Sequence, residues 1–240
     1  MSRPLSFSIC VPAFNEESNL KETVEDLISI LSPFLQKLEV IIVDDGSTDS
    51  TPRLAEQLAR EYCQVKAIHH KKNLGIGVCY RDALAIAEGN YYTWFPADYE
   101  NSAEEFIQCL PYLSQETIVT CHHQEQDPRP VLRRWISHSY TWILNKYFHL
   151  NLKYYNGLTI FPVSILRSIP LTADGFVFSA ESLICAIQRG YEILELSAPL
   201  RKRTFGRSKT LTFVSICQIL TNLFHIFKLK FVDNEKTKCL

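Results

Sequence analysis

The chain contains 240 residues, of which 46% are hydrophobic and 21% are charged, and its formal net charge is −1. This length suits one globular domain with an appended segment, and the balanced charge excludes nucleic-acid binding through an overall basic surface. The eight cysteines form no Cys-x-x-Cys pair, and several lie in apolar runs where a thiol packs as a small hydrophobe. We therefore predict a reduced, cytosolic protein rather than a disulfide scaffold.

Strand and helix patterns alternate along the first half of the chain. Apolar alternation or continuous apolar runs predict strands at 5–11, 38–43, 65–70, 91–95 and 117–121. Apolar residues at helical spacing predict helices at 20–31, 52–62, 77–88 and 102–110, and the third of these stops at Gly89. This order predicts a doubly wound α/β sheet, which binds its ligand at the carboxyl ends of the strands.

The second half of the chain contains two further strand patterns and two helix patterns. The strands are predicted at 157–161 and 191–196, and one helix at 178–190. The other helix, at 129–150, carries several cations and aromatic residues, which include Arg133, Arg134, Trp135 and Trp142. Two interpretations of this helix stay open: a surface near lipid headgroups, or a packed helix with an exposed polar face.

The C-terminal segment Leu211–Phe227 contains no Lys, Arg, Asp or Glu, but polar residues interrupt it. It is too short and too polar for a membrane span, so we predict an amphipathic interfacial helix or a helix packed on the domain. The N-terminal sequence MSRPLSFSICVP has no apolar segment typical of a signal peptide. We expect a catalytic domain at 1–210 and a C-terminal helix and tail at 211–240.

Polar residues follow the predicted strands in four loops, PAFNEE, DDGSTDS, HHKKNLGIG and PADYEN. Strand ends of a parallel sheet meet at one edge, so these loops should converge on one crevice. Asp44 and Asp45 could bind a metal, hold a ribose or sugar hydroxyl, or cap the next helix. Asp98 and Glu100 could offer paired oxygen ligands to Mg²⁺ or Mn²⁺, or form a solvated acidic loop.

The ordered motifs VPAFNEESNL, VDDGSTDST, KNLGIGVCYRDALAIAEGN and PADYEN resemble those of the family 2 glycosyltransferases. The resemblance is nearer to dolichol- or polyprenyl-phosphate sugar transferases of the dolichol-phosphate mannosyltransferase type. It continues through NGLTIF, GFVFSAESLICAIQRGYEILELSAPL and RTFGRSK, and covers about residues 7 to 210. It implies the GT-A fold, a Rossmann-like, mostly parallel sheet with helices on both faces, and a nucleotide-sugar donor.

The resemblance implies a role for individual residues of the strand-end loops. Nucleotide-sugar binding falls to residues of the first, second and fourth strand ends, namely Pro12, Phe14, Glu16, Val43, Asp45, Ala97 and Asp98. Asp44 then supports the loop beside Asp45. Asp98 and Glu100 match the family's ligands for Mg²⁺ or Mn²⁺, whereas Pro96 stands where the family has a first Asp. Arg203 and Lys209 match cations that fold over the diphosphate and stabilise its growing charge.

The implied reaction is a single displacement, with inversion, at the anomeric carbon of the sugar. A polyprenyl phosphate acceptor is already an anion and needs no general base, whereas a hydroxyl acceptor needs one. Asp98, Asp174 and Glu181 are the candidates for that base, and we expect Glu181 to face the acceptor. Arg129, Arg133 or Arg134 could replace an arginine that the family often has after the fifth strand.

Three other interpretations account for parts of the sequence. The first keeps the fold and transfers sugar to a hydroxyl of a glycan or glycolipid. The second is a nucleotide-binding module without catalysis, which Pro96 favours. The third, an NAD-dependent dehydrogenase, is set aside because GIGVCY lacks the full Gly-x-Gly-x-x-Gly pattern and follows the third strand. Peripheral contact with the cytosolic face of a membrane is a hypothesis from the helix that carries Trp142, the basic run at 201–209 and Leu211–Phe227.

Overall fold

A computed structural model describes residues 5–98, 103–123 and 131–198. Its strands are β1 Ser6–Ala13, β2 Lys37–Asp44, β3 Val65–His69, β4 Tyr91–Trp94, β5 Thr117–His123, β6 Thr159–Pro162 and β7 Glu192–Ala198. Its α-helices are α1 Leu20–Leu31, α2 Thr51–Glu61, α3 Ile76–Ile86, α4 Glu104–Cys109, α5 Val131–Phe148, α6 Val163–Ser168 and α7 Phe178–Gln188. Two short 3-10 helices cover Ser32–Phe34 and Leu110–Tyr112.

The strands form one seven-stranded sheet in the order β3-β2-β1-β4-β6-β5-β7. Every neighbouring pair is parallel except the two that involve β6, which is antiparallel to both β4 and β5. The predicted α/β architecture is confirmed. The sequence pattern did not anticipate that β6, a strand from later in the chain, separates β4 from β5.

Helices cover both faces of the sheet, and β2 shows why. Ile41 and Val43 pack into the core on one face, with α3, α5 and α7, whereas Val40 and Ile42 pack on the other, with α1, α2 and α4. All four side chains are fully buried. Successive side chains of a strand point to opposite faces, so this continuous apolar run supplies two cores at once.

Several helix boundaries differ from the sequence pattern. α3 ends at Ile86, so Gly89 does not stop it. A Cβ at Gly89 would lie 2.6 Å from backbone atoms of Phe7 and Ser8, so the glycine is required because the chain passes close to β1 there. α4 begins at Glu104, and Ser102, the first residue of the helix predicted at 102–110, lies outside the described residues.

The predicted C-terminal helix at 211–240 also lies outside the described residues. Within the parts of the chain that the structure describes, no helix has the length and hydrophobicity that crossing a membrane requires.

Candidate functional site

The candidate site lies where the strand order reverses. β1 is flanked by β2 on one side and by β4 on the other. The chain therefore continues from β1 to β2 and β3 on one side, and then returns to place β4 on the opposite side of β1. In doubly wound sheets a ligand crevice opens at this position, at the carboxyl ends of the strands. Three predicted residues are located there: Pro12 is the penultimate residue of β1, Phe14 follows that strand directly, and Asp98 lies beyond the end of β4. Phe14 is 42% exposed and Asp98 is partly exposed.

Hydroxyl side chains of the loop after β2 hold the loop after β1. The backbone N–H of Asn15 donates to Ser47 Oγ (3.0 Å), and Thr48 N–H donates to Asn15 Oδ1 (2.9 Å). The N–H of Glu16 donates to Thr51 Oγ1 (2.9 Å). Asn15 has a φ of +55°, a backbone conformation that asparagine tolerates better than most residues. These bonds fix the backbone that presents Phe14, and they explain the hydroxyl-rich sequence.

Two other predicted binding residues, Val43 and Ala97, are buried, whereas Glu16 is not. Val43 has no exposed surface, so it packs beneath the crevice and cannot itself contact a nucleotide, contrary to the prediction. Ala97 is 3% exposed, and its carbonyl accepts a hydrogen bond from Thr23 Oγ1 (3.2 Å), which anchors the chain just before Asp98. Glu16 is partly exposed, and its carboxylate accepts a hydrogen bond from Asn19 at the start of α1.

Asp45 is nearly buried and fixes the loop that leads into α3. Its Oδ1 accepts hydrogen bonds from Leu74 N–H (2.8 Å) and from the imidazole of His70 (2.7 Å), and its Oδ2 accepts one from Gly75 N–H (2.9 Å). The other ring nitrogen of His70 lies 3.0 Å from Asp82 on α3. A carboxylate has about four acceptor positions, so one position remains for a ligand.

A second histidine bridge, in which one imidazole contacts two acidic side chains, lies one residue earlier in the chain. His69 contacts Asp44 Oδ2 through Nδ1 (3.1 Å) and Glu56 of α2 through Nε2 (3.0 Å). Burial opposes the charged ring, but the hydrogen bonds to Asp44 and Glu56 outweigh it and raise the pKa of His69 above its usual value. Asp44 also accepts a hydrogen bond from Ser47 N–H (3.1 Å), which agrees with the expected loop-supporting role.

Asp45, His70 and Cys79 bring three potential metal-ligand atoms within 4.8 Å of one another. Hydrogen bonds already account for the contact between Asp45 and His70. Burial, with the negative charge of Asp45, raises the pKa of the Cys79 thiol far above its usual range. We assign no metal to this group.

Glu181 has a different position from the one expected. It lies on α7 with no exposed surface, and its carboxylate accepts hydrogen bonds from Thr172 N–H, Thr172 Oγ1 and Ala173 N–H, at 2.6–3.1 Å. A carboxylate held in this way anchors the loop at 172–174 and cannot take a proton from an acceptor in the crevice. The expectation that Glu181 faces the acceptor was therefore wrong.

The same loop is held from the opposite side by α3. Arg81 donates to Ala173 O and Asp174 Oδ1, both at 2.5 Å, and Gly77 N–H donates to Asp174 O (2.7 Å). A Cβ at Gly77 would lie 2.0 Å from Ala173 O, which explains the glycine in GIG. Sequence reasoning missed both His70 and Arg81, because the acids that they contact are distant in sequence.

Replacing Glu181 by Gln is expected to lower the free energy of unfolding by about 1–3 kcal/mol, because an amide –NH₂ would face N–H donors in a buried position. Since Glu181 does not touch the acceptor, kcat should fall by less than about tenfold, where loss of a general base costs about 10²–10⁴-fold. Chemical denaturation and steady-state kinetics would measure both quantities. The exposed Glu22 of α1, changed to Gln, is the control. A large loss of kcat at unchanged stability would contradict the anchoring role.

Three predicted residues, Glu100, Arg203 and Lys209, lie outside the described residues, as does Arg129. Of the residues predicted to bind the metal or the diphosphate, the structure therefore describes Asp98 alone.

Comparisons with known proteins agree with this arrangement. Residues 8–170, more than half of the chain, match the model of glycosyl transferase family 2. Glycosyltransferase AglD of Haloferax volcanii is 33% identical over 93 residues, which are 38% of this chain and 15% of that protein. Dodecaprenyl-phosphate galacturonate synthase of Rhizobium johnstonii is 24% identical over 228 residues, which are 92% of this chain and 67% of that protein.

Among solved structures, glucosyl-3-phosphoglycerate synthase from Mycobacterium tuberculosis, in complex with UDP, superimposes with a TM-score of 0.69 at 19% identity. The superposition covers 93% of this chain and 80% of that one, and it confirms the GT-A fold. The match to the family model and the confirmed fold lead to one conclusion: this chain belongs to glycosyl transferase family 2.

Proposed function

We propose that the protein transfers a sugar, with inversion, from a nucleoside diphosphate sugar to a polyprenyl phosphate such as dolichyl or undecaprenyl phosphate. It works as a peripheral protein at the cytosolic face of a membrane, with a catalytic domain at 1–210 and a C-terminal helix at 211–240. The similarity of 92% of this chain to a dodecaprenyl-phosphate galacturonate synthase supports a lipid-phosphate acceptor.

The donor half of the proposal rests on the crevice at the ends of β1, β2 and β4. The partly exposed ring of Phe14 offers an apolar surface to the nucleotide base. The remaining acceptor position of Asp45 serves the base or the ribose. Pro12 and Glu16 line the same strand end. The hydrogen bonds that fix Asn15 and Asp45 keep these groups in place before the donor arrives, which lowers the cost of ordering on binding.

Asp98 is the proposed metal ligand that lies among the described residues. Its carboxylate is partly exposed at the carboxyl end of β4, and it supplies the hard oxygen that Mg²⁺ and Mn²⁺ prefer. Asp98 fits this role, with Glu100 as the second proposed ligand. A divalent cation held there would neutralise charge on the departing diphosphate. Crystal structures of the M. tuberculosis synthase contain UDP with Mg²⁺ or Mn²⁺.

The observation that supports a phosphate acceptor is that two acids, which could have served as a general base, are already bound by other residues. Glu181 is buried and saturated by the 172–174 loop, and Asp174 is ion-paired with Arg81. A phosphate monoester is ionised near neutral pH, so its oxygen attacks the anomeric carbon without a proton transfer. The new C–O bond forms as the bond to the nucleoside diphosphate breaks. Arg203 and Lys209 are proposed to stabilise the diphosphate that leaves.

The test pairs two acceptors that differ in one group. Donor choice is first established by calorimetry with UDP, GDP and their sugar conjugates, with and without Mn²⁺. Turnover is then measured with a short, soluble prenyl phosphate and with the prenyl alcohol of the same chain. We expect metal-dependent binding of one nucleotide-sugar and transfer to the phosphate but not to the alcohol.

A second candidate is a small phosphorylated acceptor, favoured by the structural similarity to the phosphoglycerate synthase. Transfer to 3-phosphoglycerate but not to the prenyl phosphate would favour it. Transfer to a glycan or glycolipid hydroxyl would overturn the lipid-phosphate acceptor while the family 2 activity stands. Donor binding without turnover on any acceptor would favour a nucleotide-binding module.

A further inference from the structure

The outer face of α5 carries an unusual stripe of exposed aromatic and apolar side chains. Val131, Trp135 and Trp142 are 58%, 70% and 66% exposed. With His138 they follow the spacing i, i+4, i+7 and i+11, which places them on one side of the helix. The opposite side, with Leu144 and Phe148, packs into the core. We call the four outer residues the α5 stripe.

Positive charge accompanies the stripe. α5 contains no Asp or Glu among its 18 residues, and it carries Arg133, Arg134 and Lys146. Arg134 lines a surface cavity of about 260 Å³ together with Val131, Trp135 and His138. Among the described residues, no acidic side chain forms an ion pair with Arg134 or Lys146. The surface is therefore both apolar and cationic.

Two physical effects select the same partner for such a surface. Tryptophan rings partition to the interface between lipid headgroups and acyl chains, where the ring is dry and the N–H stays solvated. Lys and Arg are attracted to anionic headgroups by about 1 kcal/mol per charge. A protein partner with an acidic groove could satisfy the charges, but two Trp residues two turns apart on an acid-free helix fit a flat interface.

We propose that the α5 stripe docks the protein on the surface of a bilayer that contains anionic lipids. This inference rests on the proposed function, because it assigns the surface through which the enzyme meets a lipid-borne acceptor. The proposed partner of the α5 stripe is the bilayer surface as a whole, not a single bound lipid molecule.

The start of α5 is close in sequence to a strand end at the sheet edge that carries the candidate site. β6 is antiparallel to both β4 and β5, so β4 and β5 run in the same direction and end at the same edge of the sheet. Seven residues separate the end of β5 from the start of α5, and Val131 and Trp135 lie in the first part of that helix. An acceptor phosphate held at the bilayer surface would approach the edge that carries Asp98.

Tryptophan fluorescence offers an internal probe of the α5 stripe. The chain contains three tryptophans, two of which belong to the stripe, and the indole nitrogen of the other, Trp94, is buried. Vesicles of phosphatidylcholine, with or without phosphatidylglycerol and without any polyprenyl phosphate, are mixed with the full chain. We expect co-sedimentation with the anionic vesicles and a blue shift of tryptophan emission. Raising the salt concentration should weaken both, because exposed charges are screened.

Substitutions assign the effect to the stripe. Changing Trp135 and Trp142 to Ala should lower vesicle affinity at least about tenfold and abolish the blue shift. Arg134→Ala and Lys146→Ala should each lower affinity for anionic vesicles about fivefold. The matched control changes Phe34 and Tyr112, each 52% exposed and outside α5, to Ala and should leave vesicle binding unchanged.

Three outcomes would overturn the proposal. One is no binding to anionic vesicles, and another is equal binding by the double tryptophan variant. The third is emission that is already blue without vesicles and does not move, which is expected if residues 211–227 or a second copy of the chain cover the stripe. Because no acceptor is present, a failure here is distinct from a failure of the acceptor assay, in which the soluble prenyl phosphate requires no docking.

Discussion

Replacing Asp98 by Asn is expected to lower kcat about 10³-fold, because a neutral amide holds a divalent cation poorly and the departing diphosphate loses several kcal/mol of charge stabilisation. Pro96 stands where the resemblance places a first Asp, so we propose that Asp98 contributes more to metal binding than it would beside a second carboxylate. Asp98 is partly exposed, so the free energy of unfolding should change little. Steady-state kinetics at several Mn²⁺ concentrations and thermal unfolding would measure the two effects.

The control for this substitution is Glu104→Gln, which removes an exposed acid from the first turn of α4, in the same part of the chain. Its kcat should stay within about twofold of the original value, since surface substitutions away from a site have small effects. An Asp98→Asn protein that keeps its turnover, with no dependence on Mg²⁺ or Mn²⁺, would contradict the metal-binding role.

Asp45→Asn should weaken nucleotide binding about 100-fold, since hydrogen bonds to a charged group contribute about 1.5–3 kcal/mol and the loop that Asp45 fixes would also move. An amide would turn one acceptor into a donor facing Leu74 N–H or Gly75 N–H. Its free energy of unfolding should fall by about 1–3 kcal/mol. Calorimetric titration of the nucleotide and chemical denaturation would separate the two losses.

Asp44→Asn is the matched control, because Asp44 makes the same kinds of contact, with a histidine and a backbone N–H, on the other side of the strand. It should lose similar stability but keep nucleotide affinity within about threefold, since it has no proposed contact with the ligand. Equal losses of nucleotide affinity in both variants would show that the two carboxylates only support the loop.

The sequence alone was sufficient for the strand–helix order, apart from α6, and for placing polar loops at the carboxyl ends of the strands. Both depend on local signals: the apolar run of β2 and the polar residues that follow each strand. The place of β6 was not predictable in the same way, because Thr159–Pro162 is only four residues long and its partners β4 and β5 are distant in sequence. Antiparallel pairing of so short a strand leaves no local pattern.

The contacts of individual acidic side chains could not be predicted from their spacing in the sequence. Glu181 lies in the first turn of a helix, where an acid is usually solvated, but the loop at 172–174 folds over it and supplies its donors. Asp44 and Asp45 are neighbours with opposite partners, because adjacent residues at a strand end point to opposite faces. The need for glycine at 77 depends on Ala173, almost one hundred residues later.

The two histidine bridges at the end of β3 have a consequence for how the chain tolerates changes in length. His69 reaches Asp44 and α2, whereas His70 reaches Asp45 and α3. Deleting one residue within β3 would present His70 to Asp44 and Lys71 to Asp45, because a shift of one position exchanges the two faces. Insertions and deletions should therefore be excluded from β3 in natural variants and in engineered chimeras, which would have to exchange β2 and β3 together.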